Sequence, residues 1–310
     1  MRSAIVLMSV VAALSGQSAM MNARMRFEES DAIVQSGKCL HLKTEVVQTS
    51  GDWLAIEPTA FNEFEPSSEQ GRITTKEESL EKCVIQNARV LGYDFTLAEG
   101  GMYDVWMRAQ FPLAAGYNHT ESMDGGEARA VFDSVDGTRV DKYGSLPSGE
   151  ALNQLFLEPN LWHWFKNLSY ELKPGHHHWL WPRPGAWTAN PWLDRIVLVR
   201  RGSQVRPETA TKDNMKVVRA KSASVTSRRI KTERIRSWLF TCDKAENGGK
   251  VTLEYSYGGD AFEPLESGKT YDVPEKSDYL YVRISFDGSA DGALPIVYGY
   301  NFRVEKKGSK

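Results

Sequence analysis

The chain has 310 residues, of which 41% are hydrophobic and 25% are charged. This length allows two domains, and the composition is that of a folded protein rather than a disordered one. The formal net charge of −2 gives no indication of a nucleic acid or an anionic membrane as a partner. Nine tryptophans are many for this length, so their positions are especially informative.

The first residues have the features of a bacterial export signal. Arg2 supplies a positive charge, and residues 4–14 form an uncharged, mostly apolar run followed by small residues. That run is too short to span a bilayer, and no longer apolar stretch follows, so we expect no membrane span. We expect residues 1–23 to be a signal peptide and the protein to be secreted, periplasmic or on the cell surface. Cleavage after Ala19 and cleavage after Ala23 both remain open, and a buried helix is the alternative.

The chain contains three cysteines, Cys39, Cys83 and Cys242. Export would place them in an oxidising compartment, where an odd number leaves at least one unpaired. We expect a Cys39–Cys83 disulfide because both residues fall in the predicted first domain. In the chain-entropy model, closing that loop contributes about 4 kcal/mol. Cys242 ends an apolar run and is expected to be a buried thiol.

Alternation of apolar and polar residues predicts strands from about residue 50 to residue 200. The pattern is clear over residues 103–111, and it returns over 168–172 before a Pro174-Gly175 turn and a second strand at 176–181. Residues 193–199 are apolar on both faces except at two positions, which predicts a central strand. Residues 76–90 are the one helix candidate, with weak helical periodicity.

The polar segment 201–209, which contains Gly202 and Pro207, predicts a linker at residues 203–210. Beyond it the alternation returns, with glycine-rich turns between short runs over residues 211–310. Short strands at such spacing are typical of a β-sandwich. We therefore predict an all-β protein with a first domain at 24–202 and a second, smaller β-sandwich at 211–310.

Four pieces of the first domain occur in a characteristic order: Trp53 to Pro58, Gly101 to Ala109, Leu172 to His176, and Leu193 to Leu198. Together they resemble the carbohydrate-binding modules of the galactose-binding-like jelly-roll group, which are appended to secreted bacterial glycanases. The resemblance covers roughly residues 50–200. It implies that the first domain is a jelly-roll β-sandwich.

The resemblance also implies a structural calcium ion, held by acids on the first and last strands. Glu57 and Asp194 match these positions, but Thr59 stands where the family usually has a second acid. Calcium prefers six to eight oxygen ligands, so one expected ligand is missing. The alternative is that Asp194 caps a turn or pairs with an arginine.

A sugar presents an apolar face that an aromatic ring can cover, and hydroxyls that amides and charged groups can bind. Such side chains concentrate in a proline-rich segment before the last strand of the first domain and in two shorter clusters. Trp187 is the main candidate platform, whereas Trp106, Trp179, Trp181 and Trp192 are expected in the core. The candidate ligand-binding residues are Trp187, Asn190, Arg183, Trp164, Trp162, Tyr117 and His119. Whether Trp162 or Trp164 is exposed remains open.

These observations favour non-catalytic polysaccharide binding through an aromatic-lined loop edge. No Gly-x-Ser-x-Gly, His-Glu-x-x-His or phosphate-binding loop occurs, so we predict no enzyme. One alternative is a structural or adhesive surface protein that binds other proteins. Another is a jelly-roll lyase or glycosidase, with Tyr117, His119 and Arg183 as candidate residues. His176 and His178 share a strand face, but no acid is near in sequence, so a metal site is not expected there.

Overall fold

The computed structural model describes residues 20–66, 71–80, 82–85, 88–110, 118–131, 133–139, 161–182, 192–290 and 292–307. Within strands it gives only the backbone of residues 65–66, 83–85, 88–90, 118–120, 127–131 and 182. Almost all regular structure in these ranges is strand, apart from a 3-10 turn at Pro207–Thr209, which confirms the all-β prediction.

The strands in the first part of the chain include two ten-residue strands that pair with each other and run through the middle of a sheet, β10 and β15. The strands are β1 (Met21–Ala23), β2 (Ile33–Ser36), β3 (Cys39–Leu42), β4 (Thr44–Gln48), β5 (Trp53–Ile56), β6 (Glu63–Pro66), β7 (Ile73–Thr74), β8 (Cys83–Ile85), β9 (Ala88–Leu97), β10 (Gly101–Gln110), β11 (Asn118–Met123), β12 (Gly126–Val131), β13 (Ser134–Val135), β14 (Thr138–Arg139), β15 (His163–Leu172), β16 (Gly175–Pro182) and β17 (Trp192–Arg200).

The remaining strands follow the 3-10 turn. They are β18 (Met215–Arg219), β19 (Ser222–Thr226), β20 (Ile230–Lys231), β21 (Ile235–Ala245), β22 (Lys250–Tyr257), β23 (Glu263–Pro264), β24 (Thr270–Asp272), β25 (Tyr279–Asp287) and β26 (Ile296–Lys306). The three longest stretches of alternating apolar and polar residues in this part form β22, β25 and β26, in which alternate residues are buried.

The first sandwich consists of two sheets. Sheet I has the order β14-β13-β15-β10-β17-β8-β7, with β5 also paired to β17, and sheet II has the order β12-β11-β16-β9-β4-β18, with β6 also paired to β9. Inward residues of both sheets share one core, which includes Tyr93, Phe95, Met107, Phe165 and Trp179. Each of these residues alternates with an outward neighbour, as the period of two requires.

The second sandwich is built in the same way from two smaller sheets. Sheet III has the order β2-β3-β26-β21-β24, with β1 also on β26, and sheet IV has the order β19-β25-β22-β23, with β20 also on β25. Its core is centred on Trp238, Phe240, Ile284 and Phe286, which are fully or almost fully buried.

Strand pairing links segments across the sequence boundaries expected for the two domains. β1 and β3 both pair with β26, so the start of the described chain belongs to the second sandwich, and β1 itself falls within residues 1–23, expected as the signal peptide. β18 pairs with β4 and belongs to the first sandwich, although it follows the predicted linker. Local alternation shows where a strand is but not which distant strand it pairs with, which is why the sequence did not reveal this exchange.

Two local expectations differ from the structure. Residues 83–85 and 88–90, placed in the helix candidate, are strands, because β-branched and apolar residues there pair with sheet neighbours. No disulfide is seen among the described residues, and Cys39 is fully buried on β3, a strand of the second sandwich. The side chain of Cys83 lies outside the described part, so the expected pairing is not supported.

His41 lies at the junction of the two sandwiches. It stands on β3, and its ring packs edge-on against Phe61, with centroids 4.9 Å apart. The ring is fully buried, and its Nδ1 lies 3.0 Å from the carbonyl oxygen of Leu42. Donation from Nδ1 to that carbonyl is consistent with a neutral imidazole. Burial, with a smaller contribution from nearby Arg219, lowers the pKa of His41 to about 4.

We expect the free energy of unfolding to fall by up to about 3 kcal/mol, on account of His41, as the pH decreases from 6.5 towards 4. The unfolded chain binds a proton at the ordinary imidazole pKa, whereas the folded chain does so only near the lowered one. The stabilisation is therefore present above pH 6.5 and lost below it. Urea denaturation at several pH values, compared with a His41→Gln variant, measures it. Equal pH dependence in the two proteins would contradict the prediction.

Candidate functional site

The strand ends that flank the candidate sugar-binding residues lie at one end of the first sandwich. On sheet I, Gln110 at the end of β10 pairs with Trp192 at the start of β17, and Ala109 pairs with His163 at the start of β15. On sheet II, Pro182 at the end of β16 pairs with Val90 near the start of β9. The segments 111–117 and 183–191 therefore join the sandwich at a common end, which we call the loop end. Residue 161, which follows segment 140–160, also lies at this end, whereas β14 before that segment runs away from it.

The described side chains at the loop end combine aromatic rings with polar groups. Gln110 is buried, and its Oε1 accepts no hydrogen bond from the described residues. His163 Nδ1 lies 2.6 Å from Asp136 Oδ2, and the other oxygen of that carboxylate accepts the Trp164 N–H at 2.8 Å. Burial by itself would raise the pKa of Asp136, but the hydrogen bonds from His163 and Trp164 lower it overall. The loop end therefore has a polar side, with His163 held by a charged carboxylate.

A second group of contacts attaches residues 77–80 to the rim of the loop end. The Arg108 guanidinium pairs with the fully buried Asp194 carboxylate, donates to the Glu78 carbonyl oxygen at 3.1 Å, and lies 4.9 Å from the centre of the Trp162 ring. Trp162 Nε1 donates to the Glu77 carbonyl oxygen at 3.0 Å. The backbone N–H of Leu80 donates to Asp194 Oδ2 at 3.0 Å. This set, Arg108, Asp194, Trp162 and residues 77–80, is called the rim strut.

Of the two tryptophans left open by the sequence, Trp162 is partly exposed and Trp164 is buried. Trp164 is therefore wrong as a sugar platform. It belongs to a small apolar cluster on the outer face of sheet I with Val197, Val199 and Ala210, against which Trp53 and Trp106 pack. The segment predicted as a linker contributes Val205 and Ala210 to this cluster, which explains why an outward-facing tryptophan is shielded from solvent.

The core predictions for the other tryptophans are partly confirmed. Trp179 and Trp181 are fully buried between the sheets. Trp106 is partly exposed in the outer cluster rather than in the main core, and Trp192 is partly exposed, with the Lys76 ammonium 4.0 Å from the centre of its ring.

The two carboxylates expected to bind calcium are each paired with a cation of the chain. Asp194 is held by Arg108, and Glu57 Oε1 lies 2.5 Å from Lys212 Nζ. Among the residues that the structure describes, no three His, Cys, Asp or Glu side chains come together as a metal site. The residues therefore do not fit a calcium ion, and the alternative that Asp194 pairs with an arginine is the one observed.

Four of the candidate ligand residues, Trp187, Asn190, Arg183 and Tyr117, lie outside the described residues. His119 is placed only by its backbone on β11, opposite Ala130. For these five residues, the structure gives the positions of flanking strands, and their roles stay predictions.

The sequence did not indicate a buried polar bridge between the two sheets. Glu121 on β11 is fully buried, and its carboxylate accepts hydrogen bonds from Asn167 Nδ2 at 2.9 Å and from the Tyr170 hydroxyl at 2.6 Å. Burial and the adjacent charge raise the pKa of Tyr170 far above its ordinary value. The residues around Glu121 are polar on both faces of the strand, so alternation gave no sign that this acid points inward.

The histidine run also has partners that are remote in sequence. His178 Nδ1 lies 2.5 Å from Asp94 Oδ1, and His177 Nδ1 lies 2.7 Å from Asp124 Oδ2. The hydrogen bond to Asp94 raises the pKa of His178. The expectation that no acid accompanies these histidines considered only sequence neighbours, whereas antiparallel pairing brings β9 beside β16.

No known family profile matches the chain, and no curated protein matches it. Among the described residues, no helix is long and apolar enough to cross a membrane.

Several solved structures are similar to parts of the chain. A ruminal GH26 endo-β-1,4-mannanase has 14% identity over 52% of this chain, with a TM-score of 0.31. The GH26-CBM35 β-(1,4)-mannanase of Podospora anserina has 12% identity over 51%, with a TM-score of 0.29. Tandem CBM51 modules of a family 98 glycoside hydrolase from Streptococcus pneumoniae have 7% identity over 81%, with a TM-score of 0.24.

The matched regions correspond to 28%, 29% and 99% of those three chains, respectively. The chain therefore spans less than a third of the two mannanase structures. Identities and TM-scores at this level establish neither a family nor a shared ligand, so the function has to be argued from the residues of this chain.

Proposed function

We propose that the protein binds carbohydrate without catalysing a reaction, through the loop end of its first sandwich. The observation that carries this proposal is the convergence, at the loop end, of the strand ends that flank the candidate clusters at residues 117–119, 162–164 and 183–192. Such a site combines rings that cover the apolar face of a sugar with polar groups that bind its hydroxyls. The ligand is a polysaccharide or glycan presented outside the cell, in line with the export signal expected at residues 1–23.

Exposed apolar side chains at the rim of the loop end support a binding role for this surface. Leu80 and Leu161, at 48% and 43% exposure, are two of the four large apolar side chains exposed in the described part of the chain. Leu80 belongs to the rim strut, and Leu161 adjoins Trp162. Leu80 and Leu161, near the partly exposed Trp162, provide the apolar part of the mixed surface that a sugar requires.

A site on such a surface is expected to bind weakly. A sugar chain buries little area, and its hydroxyls must lose water before they bind, which leaves an affinity in the micromolar to millimolar range, about −4 to −8 kcal/mol. The rim strut reduces the cost of ordering by fixing residues 77–80 before the ligand arrives.

Affinity electrophoresis in gels that contain a panel of neutral and acidic polysaccharides tests the proposal. We expect one class of polymer to retard the wild-type protein and a Trp187→Ala variant to lose most of the retardation. Loss of ring stacking is expected to weaken binding about tenfold, equivalent to roughly 1.4 kcal/mol.

Tyr281→Ala is a matched control, because it removes a partly buried aromatic ring from β25 of the second sandwich. It should be retarded as the wild type is. If no polysaccharide retards the wild type, carbohydrate binding is wrong, and the structural or adhesive role becomes the better hypothesis. Shortening of the polymer during the assay would contradict the non-catalytic part of the proposal.

A further inference from the structure

A cavity of about 310 Å³ lies where the two sandwiches meet. Its described walls come from the residues after β5, from Ile73 and Lys82, from β18 and Lys221, and from Asn247 with residues 288–290 and 292–294. Its volume lies at the lower end of the range for small-molecule sites, about 300–1,000 Å³. Neither Trp162 nor Trp164 lines it, and neither do Gln110, His163 and Trp192, the described strand ends that define the loop end.

Arg219 on β18 is the central charged group of this cavity. Its Nε donates to Thr44 Oγ1 at 3.1 Å and its Nη1 donates to the Ala293 carbonyl oxygen at 2.8 Å. Both acceptors are uncharged, and no carboxylate of the described chain forms an ion pair with Arg219. Burial lowers the pKa of this guanidinium, and the charge of Glu57 partly offsets that effect. Arg219 is thus held in place as a partly buried cation without an ion-pair partner among the described residues.

Two further cations line the cavity, Lys82 and Lys221, and both side chains are exposed. The one acid among the described lining residues is Glu57, whose charge is already matched by Lys212 at 2.5 Å. The described lining therefore carries an excess of positive charge. Thr59 and Asn247 add uncharged polar groups to the same walls.

From this arrangement we propose that the cavity binds an oxyanion carried by a compact, hydroxylated molecule of about monosaccharide size. A carboxylate, sulfate or phosphate would place its charge against Arg219, since a fixed guanidinium presents several N–H donors to such groups. Lys82 and Lys221 attract the ligand's negative charge at the mouth of the cavity. Thr59 and Asn247 contact the hydroxyls of the ligand. Both sandwiches contribute to the site, so ligand binding stabilises their junction.

Isothermal titration at low ionic strength, with glucuronate, glucose 6-phosphate, inorganic sulfate and neutral glucose as separate probes, tests the proposal. We expect the anionic sugars to bind and glucose not to bind. Sulfate alone reports whether the oxyanion suffices, and the two anionic sugars distinguish a carboxylate from a phosphate. Raising the salt concentration to about 0.5 M should weaken binding, because screening shortens the range of the charges.

A Lys82→Ala/Lys221→Ala double variant should bind glucuronate at least about tenfold more weakly, because two cations at the mouth are removed. Both side chains are exposed, so the fold should persist, and circular dichroism checks this. Lys216→Ala/Lys306→Ala is the control, since it removes the same charge from exposed positions that do not line the cavity. Arg219→Gln tests the central cation and should abolish binding.

Absence of binding by every anionic probe would overturn the proposal, as would equal binding by the two lysine double variants. If Arg219→Gln does not fold, the lysine variants decide the question. Trp187→Ala should leave glucuronate binding unchanged. Failure of the loop-end proposal and failure of this one are therefore distinguishable.

Discussion

Replacing Arg108 with alanine is expected to lower the free energy of unfolding by about 3–5 kcal/mol, because the fully buried Asp194 carboxylate then loses its guanidinium. A buried charge that loses its counter-ion costs far more than the pair contributes. The hydrogen bonds that fix the Glu78 carbonyl and the stacking on Trp162 are lost as well. Urea denaturation at neutral pH measures the effect.

The matched control for this prediction is the double variant Arg108→Met/Asp194→Asn, which removes both charges and keeps a side chain of similar length at position 108. It should recover much of the stability lost in Arg108→Ala, since an uncharged pair leaves no ion buried alone. A loss below about 1 kcal/mol in Arg108→Ala would show that the pair behaves as a solvent-exposed one. The rim strut would then not be held by this ion pair.

The second large effect is expected from Trp238→Ala in the second sandwich, at about 3–5 kcal/mol. Trp238 is fully buried, stacks on Tyr271 with ring centroids 4.9 Å apart, and donates from Nε1 to the Tyr257 hydroxyl at 2.8 Å. Truncation leaves a cavity between sheets III and IV that the paired strands cannot close. Differential scanning calorimetry and chemical denaturation measure the loss.

Trp238→Phe separates the contributions of packing and hydrogen bonding. It retains most of the apolar ring, and the Tyr257 hydroxyl can still donate to the Asp272 carbonyl oxygen at 2.9 Å. Its cost should therefore be clearly smaller than that of Trp238→Ala. Equal losses in the two variants would indicate that the hydrogen bond, rather than the packed volume, dominates.

The two alternative functions, a lyase or glycosidase and an adhesive protein, each require a feature that carbohydrate binding does not. A lyase or glycosidase would need positioned acid and base groups beside a bound sugar. The buried Glu121–Tyr170 pair is instead enclosed between the sheets and bridges them. An adhesive role would need a continuous apolar patch, whereas the exposed large apolar side chains of the described part are few.

Much of the fold could be predicted because its information is local. The period of two in β10, β22, β25 and β26 follows from alternate burial, and turns with Gly and Pro mark where those strands end. The expectation that Trp179 and Trp181 are core residues was confirmed for the same reason: they share one face of a strand. The helix expected at residues 76–90 was wrong because weak periodicity cannot outweigh pairing with neighbouring strands.

The charged residues were less predictable, since their partners lie far away in the chain. Asp194 and Glu57 matched a family pattern for calcium, but Arg108 and Lys212 reach them across the fold. The sequence left open whether Trp162 or Trp164 is exposed, and Val205 and Ala210 join the cluster that buries Trp164. In each case, the deciding contact comes from a segment that no local pattern associates with the residue.

The sequence by itself determined that the protein is all-β, where most of its strands lie, and that its aromatic residues concentrate in segments flanking a few of them. Only the tertiary structure decided that β1 and β3 join the second sandwich, that β18 joins the first, and that Arg219 lines a cavity between them. The physical reason is that burial alternates within a strand and can be read locally. Strand pairing and charge pairing are set by long-range packing, where many partners satisfy the same local pattern.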